Sequence, residues 1–290
     1  MRGRTRITIV GAGNLGTALA LSLHGAGCVV DQIVFRGGRA SRRKAAALAK
    51  RVGARAEAIA RVTIGRVKIE AEVVWLCVPD DAIARVAGSL ARKADWRKKF
   101  VLHSSGALAS GELMALRRRG ASVASVHPMM TFVAGSQPSF LAVPFAIEGD
   151  AAAVRVSRAL VKSLGGKAYA IRAQDKVAYH AWATFASPLL TVLLATTEQV
   201  AALANINRHE AKARMLPMLR QTLANYAALD AAASFSGPIV RGDVETIRRH
   251  LRALGKVPAA KEVYVALARA AMQFLPGKHK QRVKQLLGER

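Results

Sequence analysis

Short apolar runs alternate with amphipathic stretches from residue 5 to residue 171. The runs predict strands over residues 5–10, 29–35, 62–67, 71–78, 99–103, 122–127, 145–148 and 168–171. The amphipathic stretches predict helices over residues 15–24, 41–52, 82–92, 112–119 and 151–164. Strands that alternate with helices build a parallel sheet covered on both faces, so the predicted fold class is α/β and doubly wound.

The pattern changes after Gln174, where no convincing strand follows and apolar helical patterns continue to the end. Long helices are predicted over residues 175–204, 209–231, 244–254 and 259–274, since alanine, which is abundant there, loses no side-chain entropy in a helix. An α/β domain over residues 1–172 is therefore expected to precede an all-α domain over residues 173–290. A length of 290 residues is typical of two domains.

A glycine-rich turn lies between the first strand and the first helix. Its sequence, Gly11-Ala12-Gly13-Asn14-Leu15-Gly16, fits the pattern G-x-G-x-x-G in the required strand–turn–helix context. In that pattern the first glycine permits the tight turn, the second lets the backbone approach a pyrophosphate, and the third lets helix and strand pack closely. Free N–H groups at the helix N-terminus then face the phosphates. The six residues predict a dinucleotide site in a Rossmann sheet.

The end of the second strand distinguishes NAD from NADP. An acidic residue there would bind the ribose 2′-hydroxyl of NAD, whereas this chain has Arg36. We expect Arg36, Arg39, Ser41 and Arg42 to bind a 2′-phosphate through charge-assisted hydrogen bonds, which favours NADP over NAD. The alternative is that these arginines only reflect the arginine richness of the whole chain.

Two further strand ends carry candidate cofactor contacts. Because ligands of open α/β sheets bind outside the carboxyl ends of the strands, Val78 and Pro79 are expected to line the nicotinamide half of the site. Asp80 or Asp81 is interpreted as the N-cap of the following helix. Ser104, after the next strand, either contacts cofactor or substrate or caps the next turn.

The formal net charge of +27 is unusual for a chain of this length. An anionic partner would explain it, and so would a lineage bias toward arginine on solvated surfaces. The basic clusters are scattered, and no aromatic residues interleave with them as a base-stacking platform requires. Nucleic-acid binding is therefore not expected to be the main role.

Cysteine usage and hydropathy bear on the setting of the protein. Cys28 and Cys77 form neither a disulfide framework nor a metal signature, so no metal is expected and a reducing, cytoplasmic setting fits. Arginines near the start precede an apolar stretch, as in a signal peptide, but the glycine turn interrupts it. No later stretch is expected to span a bilayer, since polar residues interrupt residues 186–204, which come closest.

Several motifs recur in an order that resembles a known family. They are the glycine turn, Val78-Pro79-Asp80-Asp81, His103-Ser104-Ser105-Gly106-Ala107-Leu108, His127-Pro128 and Gly237-Pro238 to Arg241-Gly242-Asp243. Over nearly the whole chain they resemble a family that joins a Rossmann-like domain to a C-terminal helical domain of unknown function. That family is similar to a branch of the 6-phosphogluconate dehydrogenase and pyrroline-5-carboxylate reductase superfamily. The resemblance implies an oxidoreductase, and relatives thought to reduce ketopantoate point to a 2-oxoacid substrate.

The resemblance also supplies candidate catalytic residues. Hydroxyacid dehydrogenases of this type carry Lys-x-x-x-Asn on the first helix of the second domain, and this chain has Lys176 and His180 at the matching positions of one helix face. Lys176 is either a proton donor or oxyanion-stabilising group beside the substrate carbonyl, or a solvated residue of the first helical turn. His180 either orients substrate and relays a proton or is a core histidine.

Two more residues complete the catalytic set. Ser187 continues the helix face of Lys176 and His180, but the next residue, Pro188, departs from the family pattern, removes a backbone donor and is expected to kink the helix. His127 follows a strand at the same carboxyl edge, where it either lines the crevice or bonds backbone at a tight turn. Asp243 is expected to be a helix N-cap.

These predictions lead to three hypotheses about function. The first is an NADP-dependent reductase of a small carbonyl or imine compound, with hydride crossing a cleft between the domains. The second is an NADP-binding sensor or scaffold without turnover, and the third is a nucleic-acid-associated protein, which only the charge supports. The fold alone does not separate them. The apolar helices over residues 191–204 and 263–274 also predict a homodimer, as is common for this domain in the superfamily.

Overall fold

The computed structural model describes residues 5–63, 68–92 and 95–288, and its N-terminal part is built on one eight-stranded sheet. The strands are β1 (Arg6–Val10), β2 (Val29–Phe35), β3 (Arg55–Ala58), β4 (Val73–Leu76), β5 (Phe100–His103), β6 (Ser122–Pro128), β7 (Pro144–Gly149) and β8 (Lys167–Ala170). Their order in the sheet is β3-β2-β1-β4-β5-β6-β7-β8. The predicted α/β class with a doubly wound sheet is confirmed.

The sheet is not parallel throughout, because β7 pairs with β6 antiparallel while every other neighbouring pair is parallel. The segment between these two strands contains no helix. A parallel return usually needs a helical crossover, so the chain turns back and pairs in the opposite direction. The predicted parallel sheet is therefore mostly parallel, with one antiparallel pair that the alternation of strands and helices did not indicate.

One predicted strand differs in the residues that the structure describes. Val62 lies in a short helix, α3 (Ile59–Thr63), and not in the strand predicted over residues 62–67, of which residues 64–67 are outside the described part. The strand at this edge of the sheet is β3 instead. Its four residues, Arg-Ala-Glu-Ala, contain no run of large apolar side chains, so hydrophobic patterning gave no signal for it.

Helices cover both faces of the sheet, as the alternation predicts. The remaining helices of this part are α1 (Asn14–Gly25), α2 (Arg39–Val52), α4 (Asp80–Ala91), α5 (Met114–Arg117), α6 (Ala151–Ser163) and α7 (Lys176–Thr184). Side chains alternate along each strand, so Trp75 packs in a core with α1, α2 and α6, while its neighbours Val74 and Leu76 pack in a second core with α4 and α5. The helix predicted over residues 112–119 is instead a 3₁₀ turn, Ser110–Leu113, followed by the single turn α5.

The chain divides into two compact units, Met1–Thr184 and Phe185–Arg290. The predicted change of domain at Arg172 marks the end of the strands, and α7 belongs to the first unit. The second unit contains no strand among its described residues. Its helices are α8 (Leu190–Ala201), α9 (Arg208–Ala228), α10 (Ala231–Ser234), α11 (Pro238–Arg241), α12 (Val244–Ala253), α13 (Pro258–Phe274) and α14 (Lys280–Leu286).

A π-helical segment, Phe185–Leu189, lies between α7 and α8 and contains Pro188. This is the position where proline was expected to disturb the long helix, since proline lacks the N–H that an α-helix needs.

The whole helical stretch Ala173–Ala204 is 32 residues long and, by length and composition alone, could cross a membrane. The expectation that no stretch has that length and hydropathy was wrong, although apolar helices of water-soluble proteins pass the same test.

Candidate functional site

Two glycines of the predicted dinucleotide turn are required by packing. Gly11 has φ +110°, and a Cβ on it would lie 2.3 Å from the carbonyl oxygen of Cys77. A Cβ on Gly16 would lie 1.9 Å from the carbonyl oxygen of Gly11. Both distances are far below van der Waals contact, so the strand, the turn and α1 approach each other as the pattern requires.

Gly13 is different, because no protein atom lies within 4 Å of the Cβ that it lacks. It is the N-cap of α1 with no side-chain cap, and the first turn of the helix contains no acidic residue. Amide groups of that turn therefore remain available to an anion, which fits a pyrophosphate. The side chains of Ala12 and Leu15 pack against the core, and the Asn14 amide donates to the carbonyl of Phe132 at 3.1 Å.

The predicted 2′-phosphate residues lie at the end of β2 and in the first turn of α2. Arg36, Arg39 and Arg42 are exposed, and none of them forms an ion pair with an acidic residue of the described chain. Ser41 is half-buried in the same turn. Gly37 and Gly38, between β2 and α2, have φ of +132° and +80°. This part of the chain thus presents guanidinium groups that no carboxylate of the described residues pairs with.

The strand ends after β4 and β5 are tied together by hydrogen bonds. Val78 packs against the core, and exposed Pro79 precedes α4. Asp80 begins that helix without capping it, and instead its carboxylate accepts a hydrogen bond of 2.7 Å from the Ser105 hydroxyl. The hydroxyl of Ser104 accepts a hydrogen bond of 2.8 Å from the indole of Trp75. Both side chains therefore support the loop after β5. The interpretation of Asp80 or Asp81 as the N-cap was wrong, because Pro79 holds that position without a side-chain cap.

Lys176 is fully buried, although it is the first residue of α7. Its ammonium group donates to the carbonyl oxygen of Ser105 at 3.0 Å and to the hydroxyl of Ser125 at 2.8 Å. Burial lowers the pKa of this ammonium, and the carboxylates of Glu148 and Asp80 oppose that shift. The residue thus connects α7 with the loop after β5 and with β6, and it is not the solvated residue that one alternative described.

His103, at the end of β5, is buried in the same network. Its Nδ1 accepts from the backbone N–H of Ser105 at 3.1 Å, so Nε2 carries the proton toward the carbonyl of Ala109 at 3.1 Å. Burial lowers its pKa to about 4, the hydrogen bond with the carbonyl of Ala109 opposes that shift, and the nearby charge of Lys176 adds a smaller lowering. His103 is consequently neutral at pH 7.

Three aromatic side chains meet beside the loop after β5. Nδ1 of His127, on β6, lies 3.1 Å from the hydroxyl of Tyr179 on α7, with the rings edge to face. The rings of His127 and His180 are 5.9 Å apart. A Cβ on Gly106 would lie 2.4 Å from Cδ2 of His180 and 2.8 Å from Nε2 of His127. We name these four residues the His127 cluster.

Burial lowers the pKa of His127 to about 4, and the charge of Lys176 contributes in the same direction. Burial raises the pKa of the Tyr179 phenol. At pH 7 the cluster therefore contains a neutral imidazole beside a protonated phenol. Such a pair can position or transfer a proton without a net charge in the resting site.

Tyr179 was not among the residues singled out in the sequence. Its position three residues after Lys176 places it on the same helix face, and this periodicity was the available signal.

Ser187 lies in the second compact unit, where its carbonyl accepts a hydrogen bond from Thr191. Within the described residues, no group of three or more His, Cys, Asp or Glu side chains could hold a metal ion.

Comparison with known proteins relates both parts of the chain to families. Residues 1–128 match the model of the Rossmann-like domain, and residues 143–271 match that of a domain of unknown function, DUF2520. No curated protein matches the chain.

Solved structures share the fold over almost the full length. The Bacteroides fragilis protein BF3122 is 23% identical with a TM-score of 0.76, covering 92% of this chain and 97% of its own. A reductive aminase from Aspergillus terreus, in complex with NADPH and ethyl-5-oxohexanoate, is 17% identical with a TM-score of 0.66 and 99% of each chain covered. A pyrroline-5-carboxylate reductase from Coxiella burnetii is 14% identical with a TM-score of 0.59, covering 98% of this chain and 99% of its own. The resemblance seen in the sequence is confirmed at the level of fold.

Proposed function

We propose that this chain, which combines a Rossmann-like domain with a DUF2520 domain, is an NADP-dependent oxidoreductase that reduces a small carbonyl or imine compound. The observation that carries the proposal is the glycine turn, in which Gly11 and Gly16 are packed by protein while Gly13 faces open space. When bound, NADPH supplies a hydride. The NADPH complex of the structurally similar reductive aminase supports the choice of cofactor.

The residues present fit the phosphates of NADP. The backbone of residues 11–16 and the N-terminus of α1 would hold the pyrophosphate, because a helix N-terminus with free N–H groups favours anions. Arg36, Arg39 and Arg42, with Ser41, would hold the 2′-phosphate, since their guanidinium groups have no acidic partner among the described residues. Val78 and Pro79 would border the nicotinamide half.

Titration of the protein with NADPH and NADH, followed by calorimetry, tests the cofactor assignment. We expect NADPH to bind at least about tenfold more tightly than NADH, equivalent to about 1.4 kcal/mol. The variant Arg36→Ala should weaken NADPH binding and leave NADH binding unchanged. Arg51→Ala is the matched control, since Arg51 is an exposed arginine at the opposite end of α2. Equal binding of both cofactors contradicts the NADP assignment, and binding of neither contradicts the proposed function.

A specific observation favours a second candidate function, that of an NADP-binding sensor or scaffold without turnover. Lys176, the residue that the superfamily pattern offers as catalytic, is enclosed and hydrogen-bonded to Ser105 and Ser125. Oxidation of NADPH in the presence of 2-oxoacids, such as ketopantoate, and cyclic imines, such as 1-pyrroline, separates the two. Tight binding of NADPH with no turnover of any such compound would favour the sensor.

We further propose that the second compact unit pairs with its twin in a homodimer. Large apolar side chains of its helices are exposed, which is unusual for a monomer when they are this numerous. They include Phe185, Leu189, Leu190, Val192, Leu203, Met218, Leu223, Tyr226, Leu229, Leu267 and Phe274. A second copy would also shield the apolar stretch Ala173–Ala204 from water, so no membrane would be needed to shield it. Light scattering at micromolar concentration should give twice the mass of the chain, and a monomer would refute the pairing.

A cytoplasmic setting is proposed with the same function. Both cysteines are free thiols, as a reducing compartment allows. Cell fractionation tests this location, and recovery of the protein in a membrane pellet would contradict both the setting and the proposed cover for Ala173–Ala204.

A further inference from the structure

The His127 cluster contains a phenol that the superfamily pattern does not explain. Tyr179 is half-buried, and its hydroxyl lies 3.1 Å from Nδ1 of His127. Lys176 is on the same helix face, yet its ammonium group is engaged with Ser105 and Ser125 in the interior. Of the polar groups on this face of α7, the ammonium of Lys176 is enclosed, whereas the phenol of Tyr179 and the imidazole of His180 are not, and only the phenol lies within hydrogen-bond distance of His127.

We propose that Tyr179 is the proton donor of the reductase and that His127 positions its phenol by donating Nδ1–H to the hydroxyl oxygen. This inference rests on the proposed function. A hydroxyl that accepts a hydrogen bond from His127 keeps its own hydrogen free for a substrate. The opposite arrangement, with the phenol donating to Nδ1, would leave that hydrogen occupied.

The proton balance of the step follows from this arrangement. Reduced nicotinamide, when bound, would supply a hydride to the carbonyl carbon, so the carbonyl oxygen would need a proton as it takes up the π electron pair. The O–H bond of Tyr179 breaks, its proton forms the new O–H bond of the alcohol, and the electron pair stays on the phenolate oxygen. Nδ1–H of His127 stabilises that phenolate through a charge-assisted hydrogen bond until water returns the proton.

The surroundings support these roles. His127 is neutral at pH 7, so it does not compete as a cationic acid, and burial keeps the phenol protonated until a base forms beside it. Gly106 leaves room for the ring of His127 at Nε2, where an added Cβ would lie at 2.8 Å. Lys176 holds the loop that contains Ser105 and Gly106 against α7 and β6. It acts as a positioning residue through that loop.

The first test needs no substrate. Nitrogen NMR of protein labelled in histidine, with His127 assigned by comparison with His127→Phe, reports which ring nitrogen carries the proton. We expect protonated Nδ1 and unprotonated Nε2 in the wild-type protein, and a shift of the Nδ1 resonance in Tyr179→Phe. The opposite tautomer, with the proton on Nε2, overturns the proposal whatever the protein reduces.

The second test measures turnover of ketopantoate and 1-pyrroline with NADPH. Tyr179→Phe should lower kcat for the ketone by about 10²–10⁴-fold, the usual contribution of a general acid, with NADPH affinity unchanged. The loss should be smaller for the cyclic imine, because its iminium form arrives already protonated. Tyr169→Phe is the matched control, since Tyr169 on β8 is exposed.

The two failures are distinguishable. Full activity of Tyr179→Phe contradicts the role of Tyr179 and leaves the proposed reductase intact. If the wild-type protein binds NADPH tightly but reduces neither compound, the proposed reductase function is contradicted. The proposed role of Tyr179 is then contradicted too.

Discussion

Two imidazole rings leave no room for a side chain larger than that of glycine at position 106. Because an added Cβ would lie 2.4 Å from His180 and 2.8 Å from His127, alanine at this position must displace one ring or the loop. We expect Gly106→Ala to lower the free energy of unfolding by about 1–3 kcal/mol, the typical cost of overpacking. Urea denaturation measures the loss, and the histidine ring resonances should move in the same variant.

Gly111→Ala is the matched control for that substitution. Gly111 lies in the 3₁₀ turn Ser110–Leu113, and no atom is within 4 Å of its added Cβ. Its stability should stay close to that of the wild type, since surface substitutions without such contacts usually change it little. A similar loss in both variants would show that the local backbone, and not the histidine rings, makes alanine unfavourable.

Lys176 shows what sequence reasoning gives at the level of one residue. Its helix face could be predicted from spacing, and both alternatives considered for it, a catalytic ammonium and a solvated one, assumed an accessible side chain. The structure encloses it between Ser105, 71 residues earlier in the chain, and Ser125, 51 residues earlier. Spacing within a helix cannot report partners at that separation. The same limit concealed the contact between Tyr179 and His127, which are 52 residues apart.

At the level of elements, different glycines of the turn between β1 and α1 serve packing and cofactor binding. Gly16→Ala should lower the free energy of unfolding by about 3 kcal/mol, because its Cβ would collide with the carbonyl of Gly11 at 1.9 Å. Gly13→Ala should leave stability unchanged, since its Cβ meets no protein atom, yet it should weaken NADPH binding at least about tenfold by obstructing the pyrophosphate. Denaturation and calorimetry on both variants check this division. Normal NADPH affinity in Gly13→Ala would place the phosphates elsewhere.

Elements whose signal is local were predictable, and those that depend on distant partners were not. Strand β2 was predicted with its observed bounds, Val29–Phe35, because a buried apolar run is a property of the segment itself. The direction of β7 depends on the connection that precedes it, and β3 is stabilised by pairing with β2 along its whole length. The apolar pattern indicates neither the direction of β7 nor the pairing of β3. The central strands of the sheet were therefore predicted, whereas β3 was missed and the direction of β7 was not foreseen.

At the level of the whole molecule, buried His103 and half-buried His127 link stability to pH. The pKa of His103 and that of His127 fall to about 4 in the folded chain, chiefly through burial, from an ordinary value of 6.5. Between these values the unfolded chain binds protons that the folded chain does not bind. Stability is therefore fully present above pH 6.5 and decreases as the pH falls toward 4. The slope is at most about 1.4 kcal/mol per pH unit for each histidine.

Urea denaturation of the wild type and of His127→Phe at several pH values isolates one of the two contributions. Below pH 6.5 the free energy of unfolding should fall less steeply in the variant, because one proton fewer is taken up on unfolding. Above pH 7 the two curves should run parallel, since His127 is then neutral in both states and only a constant offset from lost packing remains. Parallel curves down to pH 5 would mean that His127 accepts its proton as readily in the folded protein as in the unfolded chain. In that case His127 would be protonated in part of the molecules at acidic pH, and its imidazolium would compete with the phenol of Tyr179 as the proton donor.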